Sequence, residues 1–563
     1  MKQHTSIAAK AIAVGLSFAL TMGGVAAPIT IALADDTGAS ASDTTTTTDS
    51  KTGSVTIEKN ANNTSDATTT IGYQIFKADV VDNGSSKTAS NIAWASDEVA
   101  TVVNAQIKAS DSTYAGTTAQ EAADYLATHL PAEGSSGTDT IIESGKLYSN
   151  IANALRDDEN LTPTTLTIGV KQDLSEGYWL FLTNSTSTNN GTNQVGTAPI
   201  YAVVGGSALT ISPKTDLPTV TKKVKNDKTG ADWGNVADSQ VGQNLQYRLT
   251  GTVADVLPSY RTYYYKFTDT LSAGLTADKS SVAVTVKTDD KEYTVEPTSY
   301  TTSLASNTDG TSTLGVEFTD LKNLKEKDSS DAAIPVNATT QVFVTYNAKL
   351  NSSAVMASGS NDNSVKLTYS NNPGTDSKGD TTPASVRDYT YQLNLVKVDS
   401  SQQSKKLSGA KFTIQATNPD EGASKQYVQA DGTLGTDTHE FTTDSNGSIS
   451  VSGLDVGTYT VVETQAPDGY NTVPSFDFSI TATYENGVLT KVGASTTNAT
   501  AADASVGTDD DVVTVTVKDK AGMSLPLTGQ AGVTLTWVAG GVVLAFGITH
   551  LVRSRKRDEN SAE

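Results

Sequence analysis

The sequence predicts an all-β protein, a tandem of three elongated β-sandwiches of which the first carries inserted helices. Strand-like segments rich in Val, Thr and Tyr, separated by Asn, Asp and Gly turns, recur from SVTIEK onward; YQIFKADVV, YWLFLT and YAVVGG follow it. Helical periodicity shows in one patch, TTAQEAADYLATHL. A chain of 563 residues, less its two terminal segments, has room for about three such domains.

The elements follow in chain order. Lys2 and Lys10 precede the apolar segment AIAVGLSFALTMGGVAA, and Ala32-Leu33-Ala34 forms an A-x-A cleavage site, so residues 1–34 read as a secretory signal peptide. Residues 35–52 are a Thr/Ser-rich linker with nothing to bury, expected to be disordered. The first domain is placed at 53–214. Its helical patch opens on a capping box of Thr118 and Glu121 and aligns Ala122, Tyr125, Leu126, His129 and Leu130 on one face, so His129 reads as a half-buried helix residue and not as a ligand. The middle domain is placed at 215–385 and the third at 386–520, both all-β. Residues 521–563 form the tail: the word LPLTG (Leu525, Pro526, Leu527, Thr528, Gly529), the apolar run Ala531 to Val552, then Arg553, Arg555, Lys556 and Arg557. At about 1.5 Å per residue the run crosses a hydrocarbon core of about 30 Å as a transmembrane helix, with the basic cluster on the cytoplasmic side. Pro526 fixes φ and breaks regular structure, so the word is expected to be extended and to fit a groove.

Composition excludes several classes of function. The formal net charge of −22 argues against nucleic acid or an anionic membrane face as partner. Cysteine is absent, so there are no disulfides and no thiol chemistry. Of 4 histidines, His4 and His550 fall in the terminal segments, and His129 with His439 make neither a His-rich metal site nor an obvious triad. No metal, no cofactor and no enzyme activity toward other molecules is expected. The turn DSNG, Asp444 to Gly447, starts like a calcium loop, but the later ligands are missing and it reads as a hairpin turn.

Ionisable side chains at core positions carry the chemistry. In the third domain, alternation places Leu393, Leu395 and Lys397 on one strand face, Tyr459, Val461 and Glu463 on a second, and Val513, Val515, Val517 and Asp519 on a third. Three strands each send one ionisable group into an apolar interior, where an unpaired charge is costly. A buried salt bridge with a shared proton is one resolution. A covalent bond is the other: desolvation favours a neutral Lys397 and a protonated Glu463, and attack of the amine on Asp519 expels water and leaves a neutral amide. The middle domain repeats the pattern. Val220, Lys222 and Val224 share a face while Lys223 points out; Tyr265, Phe267 and Asp269 share another; Asn363, Val365, Leu367, Tyr369 and Asn371 share a third. Parity does not separate Asn363 from Asn371; Asn363 is favoured because Asn371-Asn372-Pro373 also reads as a strand-ending turn. Between the first two domains, Pro213 and Pro218 bracket Lys214 in a segment that cannot form regular ladder bonds, which leaves Lys214 exposed. It reads either as an incidental linker residue or as a nucleophile.

These motifs resemble a known family. The third domain, with YTVVETQAPDGY from Tyr459 to Tyr470 matching an E-box, resembles the Cna-B-type immunoglobulin-like domains of Gram-positive adhesins and pilins; the middle domain is similar to a Cna-A-like pilin domain. The tripartite tail resembles a cell-wall sorting signal. The resemblance to sortase-assembled backbone pilins implies two intramolecular isopeptide bonds, Lys222–Asn363 with Asp269 as catalyst and Lys397–Asp519 with Glu463 as catalyst. Asp519 stands where Asn is commoner in the family. It also implies cleavage by sortase between Thr528 and Gly529, and attack of Lys214 from another copy on the Thr528 thioester. Pilins of this kind carry that lysine in a Y-P-K or N-P-K word, where this chain has Ser212-Pro213-Lys214. The expected function is the major subunit of a covalent pilus supporting adhesion, with sortase, further copies of itself, minor pilins and peptidoglycan as partners. The expected location is the cell wall, reached through a transiently membrane-bound precursor. The alternative is a wall-anchored or minor-pilin adhesin in which Lys214 is idle.

Overall fold

The computed structural model describes residues 51–59, 69–82, 87–129, 141–185, 193–212, 216–226, 231–329, 332–357, 359–417, 426–508 and 511–522. The expected signal peptide, nearly all of the expected linker, and the tail from 523 onward lie outside these residues, as does Lys214. What is described is mostly strand, arranged as successive pairs of sheets.

The first pair holds a five-stranded sheet built on Thr69–Asp82 and Gly177–Ser185, and a three-stranded sheet centred on Thr52–Ile57. The three-stranded sheet also takes in Leu209–Ile211, the last strand of the domain. Three helices pack on this domain: α1 (Asp97–Ser110), α2 (Ala119–Thr128) and α3 (Leu147–Asp157). The capping box forms as read: Thr118 Oγ1 accepts the Glu121 amide (3.2 Å), and Glu121 Oε2 accepts the Thr118 amide (2.9 Å). His129 departs from expectation. It caps the C-terminus of α2, is exposed, and stacks on Tyr125 at 3.9 Å between ring centroids, because the helix ends one residue before it.

The other two helices lack the patch's legibility. α1 is rich in β-branched residues that lower helix propensity, yet Val99, Val103 and Ile107 recur every fourth residue and bury completely or nearly so. Its N-cap, Ser96, accepts the Val99 amide. α3 starts at Lys146 with no side-chain cap and is held by packing of Ile151, Ala152 and Leu155.

The middle pair comprises a six-stranded sheet that includes Val220–Lys225, Asn244–Thr252 and Gln341–Leu350, and a seven-stranded sheet that includes Tyr265–Leu271 and Asn361–Ser370. Ala384–Tyr389 pairs antiparallel with Asn361–Ser370 and so belongs to the middle sheets, past the boundary placed at 385. The chain changes sheets at Thr390, where no Gly or Pro marks the break; two alternating strands run on as one pattern. In the third pair, Tyr391–Asp399 lies parallel to Val513–Asp519, with Lys397 opposite Val517 and Asp399 opposite Asp519.

Polar joints connect the pairs. At the first, Asn372 Nδ2 donates to Thr183 O (3.2 Å), Arg156 Nη1 to Gly374 O (2.7 Å), and the Tyr369 hydroxyl to Asn193 Oδ1. At the second, Gln240 is buried, donating to Gly432 O and accepting from the Asp455 amide (3.1 Å) and the Tyr459 hydroxyl (3.2 Å).

Candidate functional site: two buried lysine clusters

In Val220–Lys225 the pleat buries Val220, Lys222 and Val224 and leaves Lys223 half-buried, where its ammonium donates to Asn235 Oδ1 (2.7 Å). Lys222 Nζ lies 2.5 Å from Asp269 Oδ1 and 2.6 Å from Oδ2, reaching across from the six-stranded to the seven-stranded sheet. The rings of Tyr247 and Tyr346 flank it at 5.1 and 5.5 Å. Burial pulls the Lys222 pKa down to about 8, partly offset by the Asp269 carboxylate, so the neutral amine is far more accessible than on an exposed lysine.

Asn363 stands beside this pair and is fully buried. Its Nδ2 donates to the Tyr346 hydroxyl (2.7 Å), and its Oδ1 makes no hydrogen bond. The same hydroxyl donates to Asp269 Oδ2 (2.5 Å) and lies 3.3 Å from Lys222 Nζ. Asn371, at the far end of that face, is engaged elsewhere: its Oδ1 accepts from Ser377 Oγ (2.7 Å) and its carbonyl from the Gly196 amide of the first domain (2.6 Å). Pattern alone left two asparagines; the hydrogen bonds put Asn363 in the lysine cluster and Asn371 in a joint between domains.

The third-domain cluster has a different plan. Lys397 Nζ contacts Asp519 Oδ1 on the neighbouring parallel strand and Glu463 Oε1 (2.9 Å) from the facing sheet, and all three side chains have 0% exposure. Glu463 is held in place by the Val473 amide, which donates to Oε2 (2.8 Å). Burial raises the pKa of both Glu463 and Asp519, against the pull of Lys397. Two carboxyls facing one amine in an apolar site, with Phe412 at 5.3 Å, retain an extra proton more readily than they would in water. Each cluster thus brings a buried lysine, a carboxyl group and a further side-chain carbonyl of Asn or Asp together in an apolar interior.

Tyr346 was missed from the sequence. Alternation in QVFVTYNAKL marks it as a core position along with Val342, Val344 and Ala348, but nothing in the pattern says that its hydroxyl meets Asp269 and Asn363.

Two family comparisons bear on these domains. Residues 241–373 match the Gram-positive pilin backbone subunit 2, Cna-B-like domain, and residues 391–497 match the SpaA prealbumin-like fold domain. The chain thus carries one domain similar to that of Gram-positive pilin backbones and one similar to a prealbumin-like domain. Over residues 241–373 the middle one matches a Cna-B-like domain. The matched segments take in Asp269, Tyr346, Asn363, Lys397 and Glu463, while Lys222 and Asp519 fall just outside them.

The trypsin-resistant surface T6 protein of Streptococcus pyogenes serotype M6 is 28% identical over 287 residues, 46% of this chain and 44% of that protein. The chain is therefore aligned to less than half the length of that curated relative. Among solved structures, the T6 backbone pilin of S. pyogenes is similar over 84% of this chain and 99% of its own, at 16% identity and TM-score 0.47. The major pilin SpaA of Corynebacterium diphtheriae is similar over 84% and 100%, at 13% identity and TM-score 0.40.

Proposed function

We propose that this protein is the major structural subunit of a sortase-assembled pilus, joined covalently through Lys214 and Thr528 and stabilised by internal isopeptide bonds Lys222–Asn363 and Lys397–Asp519. The observation that carries the reading is the coincidence of a backbone-pilin domain match at 241–373 with a fully buried lysine, carboxylate and asparagine in that same domain. Paired charge buried this deeply is weak support for a salt bridge, because desolvation offsets much of the attraction; forming an amide removes both charges.

The chemistry is the same in each domain. The buried lysine passes a proton to the catalytic carboxylate, Asp269 or Glu463, and the neutral amine attacks the acceptor carbonyl. Ammonia leaves from Asn363; water leaves from Asp519. Intermolecular joining is left to the sortase, which cleaves after Thr528 and presents its acyl group to Lys214 of the next copy. A heterologous head-to-tail contact of this kind builds an open fibre. The protein acts on no molecule but itself, and its place is the cell wall, with peptidoglycan and minor pilins as neighbours.

Wall extracts run on a denaturing gel test the reading. A ladder of multimers that survives SDS supports a shaft subunit. A single wall-linked band at monomer mass assigns the chain instead to an anchored adhesin.

A further inference from the structure

The middle cluster contains a hydroxyl for which a lysine, an acceptor and a carboxylate leave no role. Tyr346 is buried, and its oxygen touches all three groups: it donates to Asp269 Oδ2 (2.5 Å), accepts from Asn363 Nδ2 (2.7 Å) and lies 3.3 Å from Lys222 Nζ. In the third domain no tyrosine hydroxyl bonds to Lys397, Glu463 or Asp519 among the described residues, and the Glu463 carboxyl itself lies 2.9 Å from Lys397 Nζ. The two sites also differ in what must leave. Protonated Asp519 needs only its own hydroxyl and a proton from the adjacent Glu463. Asn363 must release ammonia, a leaving group that requires a proton delivered to its nitrogen, and Asp269 has no direct hydrogen bond to that atom. Tyr346 spans the gap.

We propose that Tyr346 is a catalytic residue of Lys222–Asn363 bond formation, relaying a proton from Asp269 to the departing Asn363 nitrogen. This rests on the isopeptide reading of the middle domain. The step balances as follows. The Lys222 ammonium gives a proton to Asp269, leaving a neutral amine and a carboxylic acid. The Lys222 nitrogen bonds to Asn363 Cγ, and the carbonyl electrons move onto Oδ1. Tyr346 passes its hydroxyl proton to Nδ2 while taking the Asp269 proton. The Cγ–Nδ2 bond breaks with its electron pair going to ammonia, Oδ1 re-forms the carbonyl, and the new amide nitrogen sheds its extra proton onto Asp269. The cluster begins as an ion pair beside a neutral amide. It ends as a secondary amide, ammonia and a protonated Asp269, with no charge left inside.

The full mature chain carrying Tyr346→Phe, followed by intact mass and by the mass of the peptide joining 222 to 363 after fresh synthesis, tests the relay. General acid–base assistance is worth about 10²–10⁴-fold, so the variant should lose ammonia at least about 100-fold more slowly than the parent. It should still lose water at Lys397–Asp519, which reports that the chain has folded. Tyr265→Phe removes a hydroxyl of the same core, one bonded to Thr252 O (2.9 Å), and should cross-link at the parent rate. A Tyr346→Phe chain that loses ammonia as fast as the parent overturns the relay and leaves the isopeptide intact. Equal slowing in Tyr265→Phe also overturns it, because the effect is then one of folding. A parent chain that never loses ammonia overturns the isopeptide reading itself.

Discussion

Asp388 lies in Ala384–Tyr389 with its carboxyl fully buried. Oδ1 accepts the Ser239 hydroxyl (2.9 Å), Oδ2 has no hydrogen-bond partner, and Asp238 adds a like charge nearby. Burial pushes the pKa up to about 8, with the Ser239 bond opposing and Asp238 reinforcing. The hydroxyls of Tyr247 and Tyr391 sense the same charge, and no lysine or arginine acts on Asp388 among the described groups. In the unfolded chain the group titrates near 3.9, so between that pH and about 8 the folded state binds more protons and stability falls as pH rises. Asp388→Asn keeps the shape and removes the titration. The variant should melt above its parent at pH 8, by on the order of a few kcal/mol, with the gain shrinking toward pH 5. A calorimetric series across that range checks it, and a difference independent of pH would sink the assignment.

At the scale of elements, the clusters depend on which strands are joined. Lys397 and Asp519 stand 122 residues apart on the first and last strands of the third domain, and an amide between them closes almost the whole domain into a loop. By analogy with disulfides, such closure is worth about 4–5 kcal/mol. Glu463→Ala should leave this bond unformed, and Asp269→Ala should do the same for Lys222–Asn363. Each variant should keep one mass deficit, lose the other, melt lower and become sensitive to trypsin. Unchanged melting and protease resistance would count against these catalysts. The same scale shows where pattern reading succeeds. The strands bearing Lys222, Asp269, Asn363, Lys397, Glu463 and Asp519 were legible because a two-residue period puts each side chain on a definite face. Helices α1 and α3 were not, since β-branched residues in one and a missing cap in the other hide the helical signal behind tertiary packing.

For the whole molecule, the proposed polymer requires the two ends of neighbouring copies to meet. Lys214→Arg preserves charge and reach but cannot attack, because guanidinium stays protonated. In the native wall that variant should run only as monomer, still anchored through Thr528; deletion of LPLTG should abolish anchoring and polymer together. A persistent high-mass ladder in Lys214→Arg would transfer the role to another lysine. Lys223, half-buried and hydrogen-bonded to Asn235, is the next candidate on the outer face of its strand.

The sequence by itself determined that this chain is a string of β domains and that six polar or ionisable residues occupy core positions; export and sorting signals at its ends are what we propose from its terminal words. Those conclusions rest on periodicity, composition and short words, all local properties of the chain. Three things were decided only in three dimensions. Asn363 joined the lysine cluster while Asn371 went to a joint with the first domain, because parity assigns a face and not a neighbour. The middle domain continued to Tyr389, because the partner that claims Ala384–Tyr389 lies on Asn361–Ser370 and no local break announces it. Tyr346 became part of the site because three strands from two sheets converge on its hydroxyl, a coincidence that exists only after the sandwich has closed.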